Sequence, residues 1–377
     1  MTTSALLRQE LAAELTLGGG ITDPAWRAAV EAVPRELFLG ESVFRPEGAG
    51  WEPVHRGQVG DEEWLRLVYS NTTWVTQVEG VSADSARGAM TGRPTSSGTL
   101  PSLVVRMLEL ADVEEGDKVL EIGTGTGYST AILCHRLGEE AVYSVEYDEH
   151  LSAGAAQRLR AAGFAPHLVT GDGLRGSQAG AEYDAVVATC AVRSIPPSWL
   201  WQLRDAGSVV TTLSGWMLAS GLIRLVVDDE GVARGRFTGD EVSYMLARPH
   251  DRPPRPTYYP HPGAARTTPV DPAVLDDWTG RFVAQLAAPS AELVRTAEGV
   301  ALLDVATGSQ AWTEPDGGGW TVHQDGPLRL WDQVEDALTQ WQQEGAPDQS
   351  AFGMTVTEWD QTVWLGDPDG PSWRLPT

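Results

Sequence analysis

The ten residues Lys118-Val119-Leu120-Glu121-Ile122-Gly123-Thr124-Gly125-Thr126-Gly127 constrain this chain more than any other stretch. An apolar run carries an acid near its end and then three glycines at alternate positions. From Tyr128 to Leu137 the pattern turns helical, with Tyr128, Ile132 and Leu133 on one face. This predicts a strand, a tight turn and a helix. Glycines at such a turn let a ligand approach the backbone where a Cβ would otherwise stand, and the helix start offers N–H groups without partners. The spacing is G-x-G-x-G, not the G-x-G-x-x-G of dinucleotide sites, which argues against a nicotinamide-dependent dehydrogenase. With Glu121 two positions ahead of Gly123, the turn suits a cationic, amine-bearing ligand such as S-adenosylmethionine (SAM) better than a pyrophosphate. Glu121, Gly123, Thr124, Gly125, Gly127 and Tyr128 are the cofactor candidates here; a ligand-free tight turn is the competing reading.

The order of elements that follows predicts a doubly wound α/β sheet. Ala141 to Glu146 reads as a second strand ending in an acid, which in such folds accepts hydrogen bonds from ribose hydroxyls. Glu146 and its neighbour Tyr147 therefore join the cofactor set. Leu151 to Ala162 is an alanine-rich helix stopped by Gly163. Ala165 to Thr170 is a third strand with Asp172-Gly173 in its loop. Asp184 to Thr189 is a buried-type fourth strand, Trp199 to Arg204 a helix, and Ser208 to Leu213 a fifth strand. Alternation of this kind places ligands at the strands' C-terminal edge, where Glu121, Glu146 and Asp172 fall. A solvated Glu146 and an Asp172 that merely forms a turn are the plainer alternatives.

Charge narrows the partners. The chain has 52 acidic against 27 basic residues, a formal charge of −25. Nucleic acid is excluded as a partner, because binding to polyphosphate needs positive charge. Thr2 to Leu17 mixes charges with leucines and reads as a soluble helix rather than a targeting signal. No apolar run nears the roughly 20 residues that span a bilayer, so no membrane role is expected. Cys134 and Cys190 fit a reducing cytoplasm, and neither has neighbours at metal-ligand spacing.

At 377 residues the chain exceeds the usual single core. The expected division is a catalytic domain over 1–250, its N-terminal part helical over 1–97, a proline-rich linker over 251–270, and an acidic C-terminal domain over 271–377. The linker rests on Arg252-Pro253-Pro254-Arg255-Pro256 and on Pro260, Pro262 and Pro269. The last domain holds 18 acids, four arginines and eight of the 15 tryptophans. So many aromatics predict a folded α+β unit rather than a disordered tail. Core packing is the simpler role for any one tryptophan, and substrate recognition the expected role of the whole. Gly88 to Gly98 reads as a mobile loop able to close over substrate, and Tyr69 to Gln77 as a polar, aromatic lining for a peptide groove.

From Val33 to Pro249 the chain resembles protein-L-isoaspartate O-methyltransferases. The resemblance rests on Val33-Pro34-Arg35-Glu36-Leu37-Phe38, Gly98-Thr99-Leu100-Pro101, Val119 to Tyr128, Asp172-Gly173, Tyr183 to Val187 and Ile195-Pro196. It implies a class I SAM-dependent methyltransferase fold, a Rossmann-like doubly wound sheet, and transfer of methyl to a peptide carboxylate, with S-adenosylhomocysteine as product. The departures are equally specific. Thr99 stands where the family's Ile-Ser-Gln-Pro motif has its serine, so a hydroxyl survives beside the reacting carboxylate; a helix N-cap before Pro101 is its other reading. The loop after strand four carries Arg193, whose guanidinium could hold a carboxylate by paired hydrogen bonds. Thr99 and Arg193 are the catalytic candidates. With the long C-terminal region, these features resemble the subgroup associated with ATP-grasp ligases in ribosomal-peptide maturation. That subgroup implies a ligase-crosslinked precursor peptide (a graspetide) as partner, whose aspartate is methylated and collapses to an aspartimide. The alternative is repair of L-isoaspartyl residues in damaged proteins. A non-catalytic scaffold is disfavoured by the complete cofactor set.

Overall fold

A computed structural model describes residues 3–254, 261 and 263–376. The chain divides into two compact units: one of residues 1–189 with 198–210, the other of 190–197 with 211–377. The division thus falls inside two long strands and not at the proline-rich stretch.

The first unit begins with helices Thr3–Leu17, Pro24–Ala32 and Arg35–Leu39. Its 42–98 region, expected to be helical, is mostly sheet, interrupted by the helices Arg56–Val59 and Asp61–Val68. Strands β1 (Ser42–Glu47), β2 (Gly50–His55), β3 (Trp74–Val78) and β4 (Val81–Ser82) form a sheet in the order β2-β1-β3-β4, and β5 (Pro94–Gly98) pairs with β3. The β1–β2 hairpin turns through Gly48, at φ +55°. Phe44, Val75, Val78 and Ala83 make the sheet's small apolar core. Short alternating segments between helices hid this sheet from a helical reading.

The parallel part follows as expected: β6 (Val119–Ile122) lies between β7 (Val142–Glu146) and β9 (Tyr183–Val192), with β8 (His167–Thr170) beside β7. Next to β9 runs β10 (Leu203–Leu213). Helices Pro101–Ala111, Tyr128–Leu137 and Glu149–Ala161 intervene between the strands. The helix expected at Trp199 to Arg204 is only Pro197–Leu200, because Leu203 already opens the strand. From Gly207 to Leu213 that strand is continuously buried, and this burial outweighs the local helical pattern.

The second unit holds two sheet systems. One comprises β11 (Gly221–Val227), β12 (Ala233–Phe237), β18 (Phe352–Val356), β19 (Gln361–Leu365) and β20 (Ser372–Arg374), all antiparallel. The other is a five-stranded sheet in the order β13-β17-β16-β15-β14, built from β13 (Ala264–Thr268), β14 (Ala291–Arg295), β15 (Val300–Asp304), β16 (Gln310–Asp316) and β17 (Gly319–Asp325). Helices Trp278–Ala287 and Leu330–Gln343 pack together, and the latter lies on this sheet. The expected α+β content is present, but 271–377 is not a separate body: β18 pairs with β12, from the stretch assigned to the catalytic domain. Of the proposed 251–270 linker, 255–260 and 262 lie outside the described residues, and Ala264–Thr268 is a strand. Trp331, Trp341, Trp364 and Trp373 are buried, whereas Trp359 is 77% exposed.

Candidate active site

The first unit gathers the cofactor candidates at the C-terminal ends of β6 and β7. In the turn after β6, Gly123, Gly125 and Gly127 have φ of +95°, +54° and +92°. L side chains are strained in that region, so the alternate glycines are a backbone requirement. At Gly123 a Cβ would also stand 2.9 Å from the Thr189 hydroxyl, which donates to the Gly123 carbonyl at 2.6 Å. Arg158 secures the same turn by donating from Nε to the Thr126 carbonyl at 2.9 Å.

Glu121 is fully buried at the centre of the parallel sheet, opposite Ser144 of β7. Its Oε2 accepts from the Thr130 hydroxyl at 2.5 Å and the Ser144 hydroxyl at 2.7 Å. Ser144 in turn meets Thr124 Oγ1 at 2.6 Å. Glu121 Oε1 accepts no hydrogen bond among the described residues. Burial holds this carboxyl above its ordinary range. Glu146 ends β7 with its carboxylate under the glycine turn. It accepts from Gly125 N–H at 2.8 Å and from Asp148 N–H at 3.0 Å, and burial raises its pKa too. Two buried acids at adjacent strand ends, both held above their usual range, form a site that favours a positively charged guest. These residues, with the open backbone of the turn, fit SAM.

The remaining cofactor candidates divide. Tyr147 is 53% exposed beside Glu146. Asp172 caps the short turn Gly173–Arg175 by accepting from Leu174 N–H at 3.0 Å, and a Cβ at Gly173 would lie 2.5 Å from Ile122 Cγ2. That glycine therefore lies against the end of β6. Thr124 is buried in the hydroxyl chain under the turn. The Tyr128 ring does not face an open cradle: it packs against Phe38 and beneath the Arg35 guanidinium.

Thr99 is half-buried just beyond β5. Ser97 and Gly98 run beside the glycine turn: a Cβ at Gly125 would come within 3.9 Å of the Ser97 carbonyl, and one at Gly98 within 4.0 Å of Thr126 Cγ2. Thr99 is not the cap of the following helix, because Leu100 occupies that position without a side-chain bond. The segment that leads into Thr99 thus runs along the glycine turn. Arg193 belongs to the second unit, where its guanidinium stacks 3.7 Å above Trp216 and donates to the Pro289 carbonyl at 2.8 Å. Burial lowers its pKa.

The loop expected to be mobile is tied down. Trp51 and Met90 exchange backbone hydrogen bonds of 2.8 Å, Trp51 Nε1 donates to Gly92 O at 3.1 Å, and 94–98 form β5. Sequence reading missed Ser144, Thr130, Arg158, Thr189 and Arg35. Ser144 left a trace, as a polar residue inside an apolar strand. Among the described residues, no group of His, Cys, Asp and Glu is arranged to hold a metal ion, and no helix is long and apolar enough to cross a membrane.

Comparison with known proteins agrees with this geometry. The family model for protein-L-isoaspartate(D-aspartate) O-methyltransferase matches residues 58–217. Protein-L-isoaspartate O-methyltransferase 2 of Polaromonas sp. is 36% identical over 168 residues, 43% of this chain and 79% of its own length. Protein-L-isoaspartate O-methyltransferase 1 of Rhodopseudomonas palustris is 31% identical over 68% of this chain and 92% of its own length. A solved protein-L-isoaspartate O-methyltransferase superposes with a TM-score of 0.56 at 20% identity, covering 96% of this chain and all of its own. The fold is that of class I SAM-dependent methyltransferases.

Proposed function

The chain belongs to the protein-L-isoaspartate O-methyltransferase family, SAM-dependent carboxyl O-methyltransferases, and from that premise we propose that it methylates the free carboxylate of L-isoaspartyl residues in peptides. The observation that carries this reading is the glycine turn flanked by Glu121 and Glu146, in a chain whose relatives share that name. Bound SAM supplies a methyl group already made electrophilic by its sulfonium.

The protein's own task is to bind, orient and exclude water. Glu146 holds the glycine turn open for a ligand through Gly125 N–H, and its remaining lone pairs suit ribose hydroxyls. Glu121 sets a buried carboxyl beneath the same turn, with Oε1 left to meet a ligand. A carboxylate is ionised at neutral pH and is itself the nucleophile, so no general base is required; alignment carries most of the demand. Thr99 serves as a hydroxyl donor to one carboxylate oxygen and leaves the other to attack.

A second reading retains an ordinary aspartate of a ligase-crosslinked precursor peptide as substrate, with an aspartimide as the later product. It is favoured by Thr99 in place of serine and by Arg193, whose guanidinium stacks on Trp216 and spends one donor on the Pro289 carbonyl. In that reading Arg193 anchors a peptide carboxylate. The test is intact mass after incubation with SAM of two peptides, one linear and isoaspartyl, one crosslinked with ordinary aspartate. A methyl gained by the isoaspartyl peptide alone supports repair. A methyl gained by the crosslinked peptide alone, with or without later loss of methanol, overturns repair in favour of maturation.

A further inference from the structure

Among the described residues the Arg35 side chain makes five hydrogen bonds, all to backbone carbonyls. It is 1% exposed. From Nη1 it donates to the carbonyls of Val68 at 2.5 Å and Ser70 at 2.9 Å. From Nη2 it donates to the carbonyls of Thr72 at 3.0 Å, Gly98 at 3.3 Å and Thr99 at 3.1 Å. Its guanidinium also lies 5.8 Å from the Tyr128 ring centroid, at the start of the helix that follows the glycine turn. Burial pushes its pKa down to about 10, so the cation persists at neutral pH.

These acceptors belong to two separate segments. Val68 ends the helix Asp61–Val68, whose last carbonyls lack intrahelical partners and favour a cation. Gly98 and Thr99 lead into the helix Pro101–Ala111. Two further bonds cross the same seam: Leu100 N–H to Thr73 Oγ1 and Ser102 N–H to Asn71 Oδ1, each 3.0 Å. A planar fork with five donors reaches such a spread of carbonyls; a lysine ammonium, with three donors on one atom, cannot.

We infer that Arg35 is a positioning residue for methyl transfer: it clamps the 68–72 turn to the 98–99 segment and thereby fixes Thr99 beside the glycine turn. It touches neither cofactor nor substrate, and acts through Thr99. The inference rests on the reading of Thr99 as the hydroxyl at the reacting carboxylate.

The experiment compares Arg35→Lys, Thr73→Ala, Thr99→Ala and the Arg35→Lys/Thr99→Ala double variant in the full chain, with an isoaspartyl peptide as substrate. Arg35→Lys is expected to melt cooperatively and bind SAM with unchanged affinity in calorimetry. Its kcat falls about 10- to 100-fold, far more than its KM changes, as for a sub-ångström to 1 Å misplacement. Amide exchange should accelerate across 98–102 and stay unchanged in β6. In the Thr99→Ala background the Arg35 substitution should cost little more; full additivity overturns the proposal. Wild-type kcat in Arg35→Lys overturns it, as does a parallel loss of SAM binding, kcat and cooperative melting, which marks a plain core residue. If Arg35→Lys does not fold, Thr73→Ala decides: lowered kcat with native melting supports the clamp, and unchanged kcat refutes it. A Thr99→Ala variant of full activity removes the Thr99 reading alone, and exchange at 98–102 in Arg35→Lys then tests the clamp by itself.

Discussion

Glu121 carries a carboxylate in the middle of a parallel sheet, and the protein should show the cost in its response to pH. Burial raises the carboxyl's pKa in the folded state above its unfolded value of about 4.3. Its contribution to stability is therefore fully present below that unfolded value and is lost as pH rises through the folded one. Glu121→Gln removes this dependence. In urea denaturation of the SAM-free protein, the variant's midpoint should gain on the wild type as pH increases from about 4 towards neutrality; a pH-independent offset would refute the assignment. Glu146 gives a different prediction, because it holds the glycine turn directly. Glu146→Ala should weaken SAM binding by at least several-fold in calorimetry, and unchanged affinity would remove its ribose role. The strand-end positions of both acids, and the glycine turn after the first, were legible in the sequence, since an apolar run closing on an acid is a local signal. The hydroxyls of Ser144 and Thr130 were not. They reach Glu121 only through the pairing of β6 with β7 and the packing of the next helix.

Between residues and domains, the glycine turn behaves as one device. Its backbone lies in the left-handed region at three alternate positions, and Arg158, Glu146 and Thr189 each bond to its main chain. Gly123→Ala introduces about 1–2 kcal/mol of backbone strain and crowds Thr189, so both the melting temperature and SAM affinity should fall. A variant with wild-type SAM affinity would show that the turn tolerates a side chain. Elements with strong local periodicity were read correctly from sequence, as at Tyr128–Leu137 and in the β7 strand. The 88–98 loop and the Trp199 helix were misread because their fate is set by distant partners. Trp51 and β3 claim the first, and the buried strand from Leu203 claims the second.

For the whole chain, the proline-rich stretch was a misleading landmark. Composition changes there, but the sheet does not. In the second unit β12 is flanked by β11 and β18, and Phe237 packs edge-on against Phe282 at 5.2 Å. A fragment ending at residue 250 would leave the β12 edge unpaired and Phe237 uncovered. It should aggregate in light scattering at micromolar concentration; a monodisperse, SAM-binding fragment would restore the sequence-based boundary. The acidic surplus beyond residue 271 left the pairing illegible, because charge reports on surface and not on strand partners.

The β12–β18 pairing also orders events in time. During synthesis β12 leaves the ribosome more than a hundred residues before β18 exists. In that interval its Ala233–Phe237 edge has no final neighbour, while β14, β15, β16 and β17 pair through short local turns. The local pairings of β14 to β17 need no residue beyond Asp325, whereas β12 waits for β18. Translation that stops before Phe352 leaves the β12 edge open, so sealing that edge waits on a strand more than a hundred residues downstream.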